Sequence, residues 1–195
     1  MVSVTSTDRP LAGAWSSFVG AARTHVGVAT AQWLAGLGNL AFAVVVARVL
    51  EPAAFADLSV FLAGYVLLHV PSAGIGAGTA LDPAGLGARR RRLLGVGLAA
   101  AVALIAVAPV MSSVLDVPFG IAVCLAAAAP GAALLGLERG HLYARSDRMR
   151  LAAGLLGEPA GRLALGVVAA AAIGPVGAAA VVTGAGYASL AISHM

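Results

Sequence analysis

Apolar residues gather in this chain into long runs separated by short charged breaks. Residues 26–47 run for 22 positions without a charge, and comparable runs occupy 58–81, 93–115, 117–137, 151–173 and 174–193. At 1.5 Å per residue a helix over 151–173 is about 35 Å long, enough to cross a hydrocarbon core of roughly 30 Å. The pattern predicts an all-α, polytopic membrane protein: an N-terminal segment over 1–25, then a transmembrane domain over 26–195 made of six helices. The six runs leave no room among these residues for a soluble domain. Residues 1–9 are polar and predicted to be disordered. Over 10–25, Leu11, Trp15, Phe18 and Ala22 share one helical face. That face fits either a short amphipathic helix at the cytoplasmic surface or a plain extension of the first crossing. The first strong apolar run is too long for a signal peptide and has no convincing cleavage site. Pro71 is predicted to kink or break the second crossing, with Gly74, Gly76 and Gly78 loosening it, and Pro109 and Pro130 to bend the third and fourth. Only Gly174-Pro175 separates the fifth from the sixth.

Composition strengthens this picture. The chain is 61% hydrophobic and 10% charged, with 25 glycines, and its mean hydropathy is +0.97. So much Gly and Ala predicts close helix contacts through small side chains. The net charge of +4 would suggest nucleic acid in a soluble protein. Here the cations, all Arg, lie in breaks beside apolar runs, which predicts membrane orientation and no nucleic-acid partner. Ten arginines fall on one side: Arg9, Arg23, Arg89 to Arg92, Arg139, Arg145, Arg148 and Arg150. Only Arg48 falls on the other. Both termini are therefore predicted to be cytoplasmic, in a cell inner membrane. Arg89 to Arg92 read as an orientation signal that also meets anionic membrane lipids. Cys124, the single cysteine, predicts neither an internal disulfide nor a metal site.

Candidate chemistry is sparse. A phosphate loop, a metal-spaced Cys or His cluster and a Ser–His–acid set are all missing, so no enzyme, cofactor or metal is predicted. Glu158 and Arg162 stand out, one turn apart inside the fifth run. A charge there costs about 2.5 to 3.5 kcal/mol and persists only when paired and turned toward protein or water. Arg162 is read as facing a central hydrated cavity and meeting an anionic substrate head group there, with Glu158 holding or releasing it; the alternative is a structural ion pair that pins the fifth helix to its neighbours. In the alternative, the double neutral variant restores what either single change removes. Gly157 and Gly161 form a GxxxG pair beside them. Gln32, Gly36 and Asn39 share a face of the first crossing, which lines the same cavity or serves as interhelical glue. Trp33 is predicted to pack at a helix interface. His69 is either a packed polar residue or the titrating group of a proton-coupled cycle.

Two stretches carry a resemblance. In LAFAVVVARVLEPAAFADLSVF, residues 40–61, Arg48, Leu50, Pro52 and Phe55 mark a helix corner. In GLERGHLYARSDRMRLAAGLLGEPAGRL, residues 136–163, a Gly-x-x-x-Gly and a basic stretch precede Glu158, Pro159, Arg162 and Leu163. This order is similar to the first half of a polysaccharide-type flippase of the multidrug/oligosaccharidyl-lipid/polysaccharide exporter superfamily, although Ala56 stands where that family usually has Gly. The resemblance implies one six-helix lobe of a two-lobed transporter that moves a lipid-linked oligosaccharide or polysaccharide precursor by alternating access. It implies that Arg162, Glu158, Asn39 and Gln32 serve substrate binding, Arg162 meeting the lipid diphosphate. It further implies a second lobe, supplied by more of the same chain, by a homo-oligomer or by another half-transporter. Two rivals remain: a multidrug/cation antiporter lobe, and a non-transporting structural or partner-binding membrane protein.

Overall fold

A computed structural model describes residues 9–194 in backbone and 26–194 in side chain. The disorder expected of residues 1–9 and the apolar face from Leu11 to Ala22 lie outside the described residues, Arg9's backbone apart. Six helices make up the described chain: α1 (Arg9–Val49), α2 (Pro52–Leu81), α3 (Leu86–Leu115), α4 (Phe119–Ala144), α5 (Arg148–Ile173) and α6 (Pro175–His194). Each is long and apolar enough to cross a membrane, α1 through its Val26–Val49 part. Together they form the bundle of a multi-pass membrane protein. In α1 the backbone is helical without interruption from Arg9.

The helices outrun the apolar windows that announced them. Arg89 to Arg92 lie in the first turns of α3, and Glu138 to Tyr143 continue α4. Within the hydrocarbon core backbone polar groups must be satisfied internally, which requires helix there, and these helices carry on past the last apolar residue into the charged stretches. The breakers are local. Pro52 and Pro118 sit at helix starts, and Asp147 caps α5 by accepting from the Arg150 N–H at 3.3 Å. Gly174 turns α5 into α6 alone, at φ +87, a conformation that favours glycine. Pro71, Pro109 and Pro130 all lie inside continuous helices. Of the kink or break expected at Pro71, the break is absent: α2 continues through it, although Pro71 has no N–H for the Leu67 carbonyl.

With connections of one to four residues, sequential helices run antiparallel. The most deeply buried is α4, which packs on α2, α3 and α6; α5 joins α6 to α1. By contrast α1 and α2 scarcely touch, which leaves a cleft between the α1–α5 and α2–α4 pairs. One apolar cluster, including Phe42, Val46, Leu58, Phe61 and Val182, fills the Arg-poor half. A smaller one, Val28, Ala31, Leu142, Leu151 and Leu155, lies toward the Arg-rich end. The α2–α4 contact is backbone on backbone: Gly136 rests on the Ser72 carbonyl and Gly140 on the Gly76 carbonyl. Neither position has room for a methyl group. Trp33 corrects an expectation. It stands 76% exposed, because α1 is covered by α5 on one side only.

Gly136→Ala and Gly140→Ala are predicted to force α2 from α4 at a cost of about 1–3 kcal/mol. Gly78→Ala, whose new methyl meets open space, should be neutral or stabilising by about 0.5–1 kcal/mol. Thermal unfolding in detergent, together with membrane abundance, checks both. Equal behaviour of the three variants would contradict the close α2–α4 packing.

Candidate functional site

Between the two apolar clusters lies a polar layer centred on Glu158. Pro159, next in sequence, has no N–H for the Leu155 carbonyl, and the helix widens into a π-helical turn over Arg162–Gly166. Gly38 of α1 abuts Pro159, which brings Asn39 of α1 alongside Arg162. Both Glu158 and Arg162 are buried, each 7% exposed.

The Glu158 carboxylate is shared among three donors. Its Oε1 accepts from the Tyr65 hydroxyl of α2 at 2.8 Å and from a terminal nitrogen of Arg162. Its Oε2 accepts from Arg139 of α4 at 3.0 Å. The other terminal nitrogen of Arg162 donates to Asn39 Oδ1 at 3.0 Å. The Arg162 guanidinium also lies over the Tyr65 ring, 4.6 Å from its centroid, in a cation–π contact. Four helices thus meet in one hydrogen-bonded group. Its formal charge is one carboxylate against two guanidiniums, an excess of one positive charge.

Arg139 is also where this group meets open space. A cleft of about 430 Å³ is lined by Gln32 of α1, His69 and Ser72 of α2, Arg139 and Tyr143 of α4, and Leu155 of α5, among others. It reaches toward the Arg-rich end of the bundle, where Ala80 and Leu151 line it. Neither Glu158 nor Arg162 lines it; both connect to it through Arg139. The polar stripe of α1 therefore divides: Gln32 faces the cleft, Asn39 holds Arg162, and nothing packs on the Gly36 Cα. Gly157 and Gly161, the GxxxG pair, face Ile192 and Ala185 of α6.

A second polar group joins helix ends near the same face. Glu138 is 4% exposed, with Arg90 at 3.9 Å and His194 at 4.0 Å. Arg89 pairs with Asp82 at 2.9 Å. Among the described residues no three His, Cys, Asp or Glu side chains gather as a metal site.

Sequence reading passed over Tyr65, Glu138 and Arg139 as site residues. Two charges end the apolar run at Leu137, which by hydropathy puts Arg139 in a loop, whereas it lies within α4. Gly136 and Gly140, flanking those charges at helical spacing, were the signal that the helix continues in close contact. Tyr65 offered a weaker signal, a lone hydroxyl in an apolar crossing that needs a partner.

Arg139 changes the outcome of charge removal. Glu158→Gln strands two guanidiniums, and a loss of about 3–5 kcal/mol is predicted for breaking a buried pair. Arg162→Gln is milder, since Glu158 keeps Arg139 and Tyr65. The double variant Glu158→Gln/Arg162→Gln recovers only part of the loss, and adding Arg139→Gln recovers the rest. Membrane abundance and unfolding temperature across the four variants check the order. Full recovery in the double variant would reduce the network to the two-residue pair foreseen from sequence.

In comparisons with family models, curated proteins and solved structures nothing matches this chain; its described residues form an all-α bundle of six apolar helices, that of a polytopic membrane protein.

Proposed function

We propose that this chain is one lobe of a transporter of the multidrug/oligosaccharidyl-lipid/polysaccharide exporter type. In this reading it moves an anionic lipid-linked oligosaccharide or polysaccharide precursor across the cytoplasmic membrane. The observation that carries the reading is the buried group with one excess positive charge beside a cleft at the Arg-rich end. Uncompensated positive charge inside a bilayer is expensive, and an anion entering the cleft relieves that cost. The motif residues Glu158 and Arg162 lie at the centre of the group, with Asn39 bonded to Arg162 and Gln32 in the cleft. At about 430 Å³ the cleft suits a lipid phosphate group; the saccharide would lie between this lobe and a second one.

The cation-antiporter alternative needs a carboxylate free to take a cation. Both oxygens of Glu158 are already engaged by donors, which disfavours it. A purely structural role is the outcome to be excluded by experiment.

Orientation belongs to the proposal. Ten of the arginines assign one face to the cytoplasm, with both termini on that side. Reporters fused after Asp82 and after Arg150 are expected to read as cytoplasmic, and one near Asp116 as external. The reverse pattern would overturn the topology.

Transport is tested with the active complex, whether the second lobe is a second copy or another protein. The variant Glu158→Gln/Arg162→Gln/Arg139→Gln is expected to accumulate in the membrane yet fail to translocate a lipid-linked saccharide. Arg162→Lys should retain part of the activity, because an ammonium does not reproduce the guanidinium fork. Normal translocation by the triple variant would leave the network as scaffold alone.

A further inference from the structure

At the Arg-rich ends of α3 to α6 lies a recess of about 260 Å³, separate from the cleft. Arg90 of α3, Arg145 just after α4 and Arg150 of α5 line it, together with Glu138 of α4, Asp147 at the start of α5 and His194 of α6. Glu138 is the buried member, 4% exposed. Arg90 Nε at 3.9 Å and His194 Nδ1 at 4.0 Å both stand beyond hydrogen-bond reach of its carboxylate. Its oxygens are not sealed off. The covered side-chain atoms without a partner among the described residues are His69 Nε2, Arg139 Nε, His141 Nδ1 and Arg162 Nε, and Glu138 supplies none of them. A buried carboxylate that opens on a recess with its lone pairs free calls for a donor from outside the chain.

The charge around Glu138 calls for something more than water. Asp147 is already committed, capping α5 and lying 3.4 Å from Arg150 Nε. Arg145 has no carboxylate within 4 Å among the described residues. His194 Nε2 accepts from Arg90 at 3.3 Å, so its ring counts as neutral. Three guanidiniums against two carboxylates leave one positive charge. The recess therefore lacks one negative charge and, at Glu138, one hydrogen-bond donor. Both α3 and α6 pack on α4 but scarcely on each other, which leaves a gap between them at the level of the bilayer head groups.

We propose that this recess binds the head group of a phospholipid that combines one phosphodiester charge with free hydroxyls, the phosphatidylglycerol class. The phosphate accepts from Arg145, and a head-group hydroxyl donates to Glu138. An ethanolamine head would serve Glu138 yet leave the excess charge, and a phosphodiester without hydroxyls would do the reverse. A free glycerol phosphodiester offers the same groups, but the gap between α3 and α6 favours a lipid of the adjoining leaflet. The site requires neither the cleft nor transport.

The full chain in detergent micelles is titrated with phosphatidylglycerol and followed by native mass spectrometry. One lipid is expected to be retained saturably. Phosphatidylmethanol, with the same charge and no head-group hydroxyl, should bind about threefold or more weakly, and phosphatidylethanolamine about tenfold. Arg145→Gln should weaken phosphatidylglycerol binding about tenfold. Arg91→Gln, at an arginine that does not line the recess, should leave it unchanged. Glu138→Met removes the acceptor, so this variant should bind phosphatidylglycerol and phosphatidylmethanol alike. Glycerophosphoglycerol, the free head group, should not displace the lipid at equal concentration.

Equal binding of phosphatidylglycerol and phosphatidylmethanol by the native chain would leave water as the partner of Glu138 and overturn the proposal. So would a preference that persists in Glu138→Met. An equal loss in Arg91→Gln and Arg145→Gln would reduce the binding to diffuse attraction by the Arg-rich face. Displacement by glycerophosphoglycerol would overturn the lipid assignment in favour of a soluble phosphodiester. If Glu138→Met fails to accumulate, the lipid series on the native chain and the two arginine variants still decide.

Discussion

A single buried carboxylate, held by donors from α2, α4 and its own α5 and linked to α1 through Arg162, governs how this bundle is joined. In hydrocarbon a lone Glu158, Arg162 or Arg139 would each cost kilocalories. Together they supply one another with hydrogen-bond partners, and Tyr65 and Asn39 occupy sites the charges leave open. Since α1 and α2 scarcely touch, their relation at this depth passes through Asn39, Arg162, Glu158 and Tyr65 rather than through packed side chains. The apolar clusters on either side are ordinary small-residue membrane packing. The polar layer decides which helix faces meet.

The two halves of the bundle are built differently. On one side α2 and α4 press backbone against backbone through Gly136 and Gly140, a contact that resists sliding. On the other side α5 carries Pro159 and a π-helical turn within the stretch that bears both of its buried charges. Proline and a widened turn interrupt the regular hydrogen-bond ladder there. The cleft lies between the α2–α4 pair and the α1–α5 pair, with Arg139 of α4 reaching the carboxylate on α5. Anything that competes for Arg139 therefore acts directly on the bond joining the two.

Much of this architecture was legible in the residue pattern. Six apolar runs of bilayer length are a local property, and the energetic rule behind them is simple: a backbone in hydrocarbon must satisfy itself by forming helices. The cost of a charge in such a run likewise marked Glu158 and Arg162, because no arrangement makes it cheap to leave them alone. Asn39 followed from its register with Gln32, one helical face being readable from spacing alone.

What only the tertiary structure decided was which groups share a partner. Arg139 lies 19 residues before Glu158 and Tyr65 lies 93 before it, so neither pairing has a local signature. Helix length misplaced Arg139, since hydropathy sees where apolar residues stop, whereas the helix stops where the backbone meets a breaker. The same gap explains Trp33, whose burial depends on whether another helix covers that side of α1, and here none of the described helices does. It also separates Gln32 from Asn39, seven residues apart on one face yet turned to different neighbours. Sequence determines the helices and the charges that cannot stay unpaired, because both follow from the solvent a residue must enter. Partners and cavities depend on the crossing of distant segments, and only the folded bundle specifies that geometry.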